Sequence, residues 1–101
     1  MTVAAGISIE ESQLADLCRH YRISELQLFG SATTGNMRQD SDIDLLVTYQ
    51  PSARISLLTH AAAQRDLSTL FNRPVDLVSK RALRPELQAS VLPTARTLYA
   101  G

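Results

Sequence analysis

Residues 26–47 read LQLFGSATTGNMRQDSDIDLLV and place two apolar runs on either side of a polar turn. In the first run, 23–29, apolar and polar side chains alternate, which is typical of a strand with one buried face. The second run, 43–49, is β-branched and apolar, which favours a buried strand. The dipeptide Gly30-Ser31 interrupts the chain after the first run. The stretch therefore predicts two strands joined by a turn that begins a short helix.

Helical periodicity predicts helices on both sides of this stretch. Ser8 and Glu11 have the spacing of a capping box, so we expect a first helix to open there, after a loosely held lead-in at residues 1–7. Residues 55–71 predict the longest helix. Its expected apolar face consists of Ile55, Leu58, Ala62, Ala63, Leu67, Leu70 and Phe71.

The remainder of the chain adds a strand and a helix. Residues 74–79 (PVDLVS) predict a third strand. Pro85 suits the first turn of a last helix, and Pro93 is expected to end or kink it. We therefore predict an α+β (α/β) fold, a small mixed β-sheet flanked by helices, in a single domain spanning residues 1–101.

The composition argues against several classes of protein. The 101 residues contain ten Lys+Arg and ten Asp+Glu, a balance that argues against direct nucleic-acid binding. Cys18 is the only cysteine, which excludes an internal disulfide and a cysteine-based zinc site. No apolar run is long enough for a membrane span or a signal peptide. We therefore expect a small cytoplasmic protein.

Three carboxylates mark the two later strands. Asp42 and Asp44 open the second strand two residues apart, so their side chains should share one face. Asp76 lies within the third strand, where a carboxylate among apolar residues costs free energy unless it is paired or bound to a metal. If the strands are neighbours, each pair at about 4 Å repels by about 4 kcal/mol at an effective dielectric of 20. Carboxylates without a nearby His or Cys favour Mg²⁺ or Mn²⁺.

Each of these residues also has an ordinary structural interpretation. Asp42 would cap a turn, Asp44 would face solvent, and Asp76 would pair with Arg73 or Lys80. Gly30-Ser31 would be a simple turn. In combination they favour a site, because glycine admits close backbone approach and the start of a helix offers free N–H groups to a phosphate. Carboxylates beside a phosphate-holding turn are the groups that phosphoryl and nucleotidyl transfer require.

The spacing of these residues resembles a known family. Gly30-Ser31, ten residues and then Asp42-x-Asp44 are similar to the GS-x10-D-x-D signature of the DNA-polymerase-β-type nucleotidyltransferases. The runs SDIDLLV and VDLV, at 41–47 and 75–78, resemble the minimal nucleotidyltransferases. Those are stand-alone domains, often the antitoxin partner of a HEPN-type toxin. The resemblance implies the polymerase-β-like fold.

The resemblance also implies roles for individual residues. Asp42 and Asp44 would bind two Mg²⁺ ions, and Asp76 would bind the catalytic ion and help to activate the attacking hydroxyl. Gly30 and Ser31 would hold the β- and γ-phosphates of the nucleotide. The implied reaction transfers a nucleoside monophosphate, AMP from ATP, to a tyrosine of the toxin within a hetero-oligomer.

One departure from the family pattern leaves an alternative open. Many minimal members carry an arginine before the second glycine of the turn, where this chain reads GSATTG with Thr33 and Thr34. Arg38, or the cations Arg73, Lys80 and Arg81 beside the third strand, are candidates to compensate for it, but the expected role of each is to keep the surface soluble. The alternative function is a catalytically weak or inactive binding module that neutralises its partner by occlusion. A Mg²⁺-dependent phosphatase or nuclease would leave the Gly-Ser turn unexplained.

Overall fold

The computed structural model describes residues 1–4, 6–30, 33 and 42–101. Helices and strands alternate along most of this part of the chain. The strands are β1 (Thr2–Ala4), β2 (Ile7–Ser8), β3 (Ile23–Phe29), β4 (Ile43–Tyr49), β5 (Val75–Ser79) and β6 (Arg96–Ala100), and the α-helices are α1 (Glu11–His20), α2 (Leu57–Phe71) and α3 (Pro85–Val91). The short helix predicted after Gly30 lies outside the described residues.

The main sheet has four strands in the order β5-β4-β3-β6. β3 pairs antiparallel with both β4 and β6, whereas β4 and β5 run parallel. A parallel pair requires a crossover connection, and α2 supplies it between β4 and β5. The predicted mixed sheet flanked by helices is confirmed, and so are its three predicted strands.

The sequence prediction omitted β6, which pairs with β3 at the other edge of the sheet. The segment Arg96–Ala100 holds strand-forming side chains at Thr97, Leu98 and Tyr99. It is only five residues long, and none of its side chains is fully buried. Its pairing therefore depends on the edge that β3 presents more than on a pattern of its own.

The hydrophobic core lies between one face of this sheet and helices α1 and α2. Its fully buried side chains come from both layers: Leu14, Cys18, Ile23, Leu26, Leu28, Ile43, Leu45, Val47 and Leu67. Cys18 is thus a buried thiol. Burial raises the pKa of its thiol to about 12, so the nucleophilic thiolate is not formed at neutral pH.

The N-terminal residues are held firmly, contrary to the prediction of a loose lead-in. β1 and β2 pair antiparallel on either side of Gly6, and Val3, Ile7 and Ile9 belong to the core. The amino group of Met1 also donates a hydrogen bond of 2.8 Å to the carbonyl of Ile9. Three buried apolar side chains therefore fix this segment against the body of the protein.

The predicted capping box is also wrong. α1 begins at Glu11, and the residue that precedes it, Glu10, makes no capping bond through its side chain. Ser8 lies in β2 instead, where its hydroxyl donates to the carbonyl of Met1 at 3.2 Å. Because β2 pairs with β1, Ser8 is part of a strand and does not cap the helix as the sequence pattern predicted.

Helix α2 begins two residues later than predicted and turns a different face to the core. The hydroxyl of Ser56 accepts a bond of 3.1 Å from the Thr59 amide and caps the helix. Ala63 and Leu67 are buried, but Leu58 is 83 % exposed. Leu58 precedes Ala63 by five residues and therefore lies about 140° away from it around the helix. The prediction that Leu58 belongs to the apolar face is wrong.

Two leucine substitutions on α2 test this orientation. We expect Leu67→Ala to lower the free energy of unfolding by about 2–5 kcal/mol, because it leaves a cavity in the core. Leu58→Ala should change it by less than about 0.5 kcal/mol, because the side chain is in solvent. Urea unfolding followed by circular dichroism measures both. Equal losses for the two variants would contradict the observed orientation of α2.

Helix α3 lies at the surface of the protein. Pro85 occupies the first turn of α3 as predicted, and no residue of that helix is fully buried. The helix ends at Val91, and a 3-10 turn at Leu92–Thr94 contains Pro93. Within the described part of the chain, no helix has the length and apolar character needed to cross a membrane.

Candidate active site

Asp44 and Asp76 lie side by side on neighbouring strands. In the parallel ladder between β4 and β5, Asp44 is the register partner of Asp76. Ile43 and Leu45, which flank Asp44 in the strand, are buried in the core. Because successive side chains of a strand point to opposite faces, both carboxylates project from the face that is turned away from the core. Neighbouring strands are about 4.8 Å apart, so the two groups are close in space.

Asp42 joins this pair electrostatically. It precedes β4 by one residue and is exposed, so Asp44 lies within the strand but Asp42, which was expected to open it, does not. The pKa of Asp44 is raised above its ordinary value, first by burial of its carboxyl, then by the charge of Asp76 and that of Asp42. The carboxylates of Asp76 and Asp42 are thus both near enough to that of Asp44 to raise its pKa.

Asp76 differs from the sequence expectation in its surroundings. Its side chain is exposed, although Val75 and Leu77 on either side of it are buried. The expected cost of burying it within an apolar strand therefore does not arise. Of the two cations considered as its partner, Lys80 binds Glu25 instead, with Nζ 2.9 Å from Oε1.

Gly30 brings the backbone against Asp44. It ends β3 with a φ of +77°, a conformation that favours glycine. A Cβ atom added there would lie 3.1 Å from Cγ of Asp44 and would overlap its Oδ2. The amide and the hydroxyl of Thr33 both donate to the carbonyl of Gly30, at 3.0 and 2.8 Å. Ser31, the other predicted phosphate-binding residue, lies outside the described residues.

The donor chemistry at this face suits a hard divalent cation. Carboxylate oxygens are the ligands that Mg²⁺ prefers, and a cation there would relieve the repulsion that raises the pKa of Asp44. Among residues 1–4, 6–30, 33 and 42–101, no three His, Cys, Asp or Glu side chains are spaced to hold a metal ion. The carboxylates are therefore neighbours of the right kind, without a preassembled three-ligand geometry in the described chain.

The raised pKa of Asp44 predicts a dependence of stability on pH. A group with a higher pKa in the folded state binds protons more tightly there, so folding loses stability as pH rises from the ordinary value of 3.8 through the raised one. Asp44→Asn removes that charge, and we expect its melting temperature in EDTA at about pH 7 to exceed that of the unsubstituted protein. The gain should shrink as pH falls below 3.8. Scanning calorimetry across this range measures it, and a gain that is independent of pH would contradict the assignment.

The sequence interpretation missed a group of polar residues beside the site. His60 is half-buried, and its Nε2 lies 2.8 Å from the carbonyl oxygen of Leu77. Its Nδ1 lies 2.9 Å from the hydroxyl of Tyr49, whose pKa is raised to about 12, mainly by burial. Gln64 and Ser68 also contact β5. The spacing of four residues between His60, Gln64 and Ser68, which places them on one face of α2, was the signal for these residues.

Comparison with known proteins identifies the family. The family model described as polymerase beta, nucleotidyltransferase matches residues 12–101. The protein adenylyltransferase MntA of Thermococcus cleftensis is 32 % identical over 85 residues, which are 84 % of this chain and 84 % of that protein.

Solved structures share the fold. A toxin–antitoxin crystal structure with AMP-PNP superimposes with a TM-score of 0.72 at 23 % identity, covering 92 % of this chain and 75 % of the other. A complex of a tri-AMPylated Shewanella oneidensis HEPN toxin with an MNT antitoxin gives a TM-score of 0.64 at 22 % identity, covering 90 % and 70 %. The family model and the related sequence show the family, and the solved structures show the same fold. The chain belongs to the polymerase beta nucleotidyltransferase family and is a nucleotidyltransferase.

Proposed function

We propose that this protein is a Mg²⁺-dependent adenylyltransferase that transfers AMP from ATP to a tyrosine hydroxyl of a HEPN-type toxin. It acts as the antitoxin of a toxin–antitoxin pair, in a cytoplasmic hetero-oligomer. Residues 1–101 form a single minimal catalytic domain within that complex.

The observation that carries this proposal is the alignment of Asp44 with Asp76 in the parallel ladder, with Gly30 packed against Asp44. It joins the turn that would hold phosphates to the carboxylates that would hold metal ions. A phosphatase or nuclease needs the carboxylates but gives no reason for the close approach of Gly30.

Metal binding follows from the donor set. Asp42 and Asp44 would hold two Mg²⁺ ions, and Asp76 would contribute to the catalytic one. When bound, Mg²⁺ neutralises charge on the triphosphate and on the leaving pyrophosphate. Occupancy should also favour the ionised form of Asp44, since the cation opposes the effects that raise the pKa of its carboxyl.

The residues of the chain orient the reactants. Gly30 lets the backbone approach the β- and γ-phosphates, and the Ser31 hydroxyl donates to a phosphate oxygen. Asp76 helps to take the proton from the attacking tyrosine hydroxyl. The tyrosine oxygen then bonds to the α-phosphorus, while the bond from that phosphorus to the pyrophosphate oxygen breaks.

The identity of the acceptor rests on the relatives. One related protein is named a protein adenylyltransferase, and one structure with this fold contains an AMPylated HEPN toxin bound to its antitoxin. The balanced charge of the chain, ten basic and ten acidic residues, favours a protein acceptor over RNA or DNA.

The direct test is transfer to the partner. The purified protein and its toxin partner are incubated with MgATP, and intact-mass spectrometry follows the toxin. We expect a gain of one or more AMP units that disappears when EDTA is added, and peptide mapping should locate AMP on tyrosine. A toxin that is neutralised without any gain in mass would overturn the enzymatic proposal and favour neutralisation by occlusion.

A further inference from the structure

The strand that carries Asp76 lies at the edge of the sheet. β5 pairs with β4 on one side only. The carbonyl of Pro74 accepts from Ile43 of β4 at 2.9 Å. Because the backbone groups of successive residues point to opposite sides of a strand, those of Asp76 face β4, and those of Val75 and Leu77 face outward. An edge strand with unpaired outward groups is prone to fray or to pair with other chains.

Side chains of α2 bind these outward groups. The Val75 amide donates to the hydroxyl of Ser68 at 3.0 Å. The Leu77 amide donates to Oε1 of Gln64 at 2.9 Å. The carbonyl of Leu77 accepts from Nε2 of His60 at 2.8 Å. A stripe of side chains thus supplies the bonds that a further strand would make.

The repeat distances of helix and strand explain why this stripe fits. His60, Gln64 and Ser68 follow one another at intervals of four residues, which places them on one face with a rise of about 6 Å per step. Two residues of a strand span about 6.6 Å, which is close to the rise of four helix residues. In a helix antiparallel to the strand, every fourth residue can therefore lie opposite every second residue of the strand. The lower-numbered helix residues accordingly contact the higher-numbered strand residue.

Ser68 and His60, at the two ends of the stripe, are held by further hydrogen bonds. The Ser68 hydroxyl donates to the carbonyl of Gln64 at 2.8 Å, so its lone pairs remain for the Val75 amide. Since the carbonyl of Leu77 can only accept, Nε2 of His60 donates to it, and Nδ1 of the same ring lies 2.9 Å from the Tyr49 hydroxyl. Burial raises the pKa of that hydroxyl to about 12, which keeps it a donor.

These contacts bracket Asp76 on both sides. Val75 and Leu77 are each bonded to α2, and the residue between them is the one that faces Asp44 in the ladder. We propose that Gln64 and Ser68 are positioning residues that hold Asp76 in register with Asp44 and so assemble the cation-binding face. This inference rests on the proposed function for its catalytic consequence, but its structural part stands on the hydrogen bonds alone.

Two substitutions and two matched controls test the proposal in the full chain with its toxin partner. Gln64→Leu removes the acceptor for Leu77, and Ser68→Ala removes the acceptor for Val75. Ser68→Thr restores a hydroxyl. Thr69→Ala is the control on the same helix, because Thr69 also bonds the carbonyl four residues before it, that of Arg65, but is exposed.

Three measurements separate positioning from general stability. Hydrogen exchange followed by NMR reports the Val75 and Leu77 amides, titration with Mn²⁺ alone reports cation affinity, and steady-state AMP transfer separates kcat from KM for the toxin. We expect Gln64→Leu and Ser68→Ala to speed exchange at the amide concerned and to weaken Mn²⁺ binding. They should lower kcat by about 10–100-fold with an unchanged KM. Ser68→Thr and Thr69→Ala should stay near the parent protein.

Faster exchange in Ser68→Ala with unchanged Mn²⁺ affinity and kcat would overturn the positioning role. The hydrogen bond of Ser68 would then serve only to protect the edge of β5. Unchanged exchange would overturn the contact itself. If Gln64→Leu does not fold, Ser68→Ala against Thr69→Ala decides the question. If the parent protein transfers no AMP, the proposed function fails, while Mn²⁺ affinity and amide exchange still decide whether the stripe positions Asp76.

Discussion

Replacing Asp42 and Asp44 together by alanine is expected to reduce AMP transfer by at least about 10³-fold. The two side chains and Asp76 form one group of interacting charges, as the raised pKa of Asp44 indicates. Without them, Asp76 is the one member of this group that remains to hold a cation against the triphosphate, and transition-state charge loses most of its stabilisation. The measurement is the initial rate of AMP incorporation into the toxin at saturating MgATP.

Asp16→Asn is the matched control for this loss. Asp16 is an exposed aspartate on α1 that pairs with Arg19, so its replacement removes one carboxylate and leaves the sheet untouched. We expect the rate of AMP transfer in this variant to stay near that of the parent protein. If the double alanine variant retained the parent rate, the carboxylates of β4 would not be the catalytic group. Full neutralisation of the toxin by an inactive double variant would show that binding alone suffices.

Gly30→Ala is expected to lower AMP transfer by about 10²-fold, because it moves Asp44 as well as straining the turn. The residue has a φ of +77°, and the new methyl group would overlap Oδ2 of Asp44. The left-handed conformation costs an L-residue about 1–2 kcal/mol. Displacing a catalytic carboxylate by about 1 Å costs about 10²-fold in rate. Rate assays and thermal unfolding are measured on the same preparation.

Gly6→Ala separates the two effects of this substitution. Gly6 has the same φ of +77°, but a Cβ added there meets no atom within 4 Å. We therefore expect Gly6→Ala to lose stability through backbone strain and to keep its activity. If both variants lost stability equally and both kept full activity, contact between Gly30 and Asp44 would have no role in catalysis.

The order of strands and helices was readable from the sequence where a pattern was long and regular. The strands 23–29 and 43–49 were predicted with the bounds that the structure has, because β-branched and alternating side chains reflect burial on a sheet. The termini were read less well. The strand β1 and the serine of β2 depend on pairing between segments, which local periodicity does not report.

The candidate site was predicted in its residue types but not in its surroundings. Asp42, Asp44 and Asp76 were singled out by spacing, and the parallel register brings Asp44 and Asp76 together. The exposure of Asp76 was not foreseen, because whether a strand residue is covered depends on the layer that lies over it. Leu58 was misplaced for a similar reason, since a helix packed on a sheet buries one stripe and leaves another in solvent.

The sequence by itself determined the candidate groups of the site: three carboxylates, their spacing, and a glycine where the chain turns. Those properties are local, so they are visible in adjacent residues. Only the tertiary structure decided that Gly30 lies against Asp44. It also decided that His60, Gln64 and Ser68 of α2 bond to the backbone at the edge of β5. Such contacts join residues that are distant in the chain, and they exist only once packing sets one element against another.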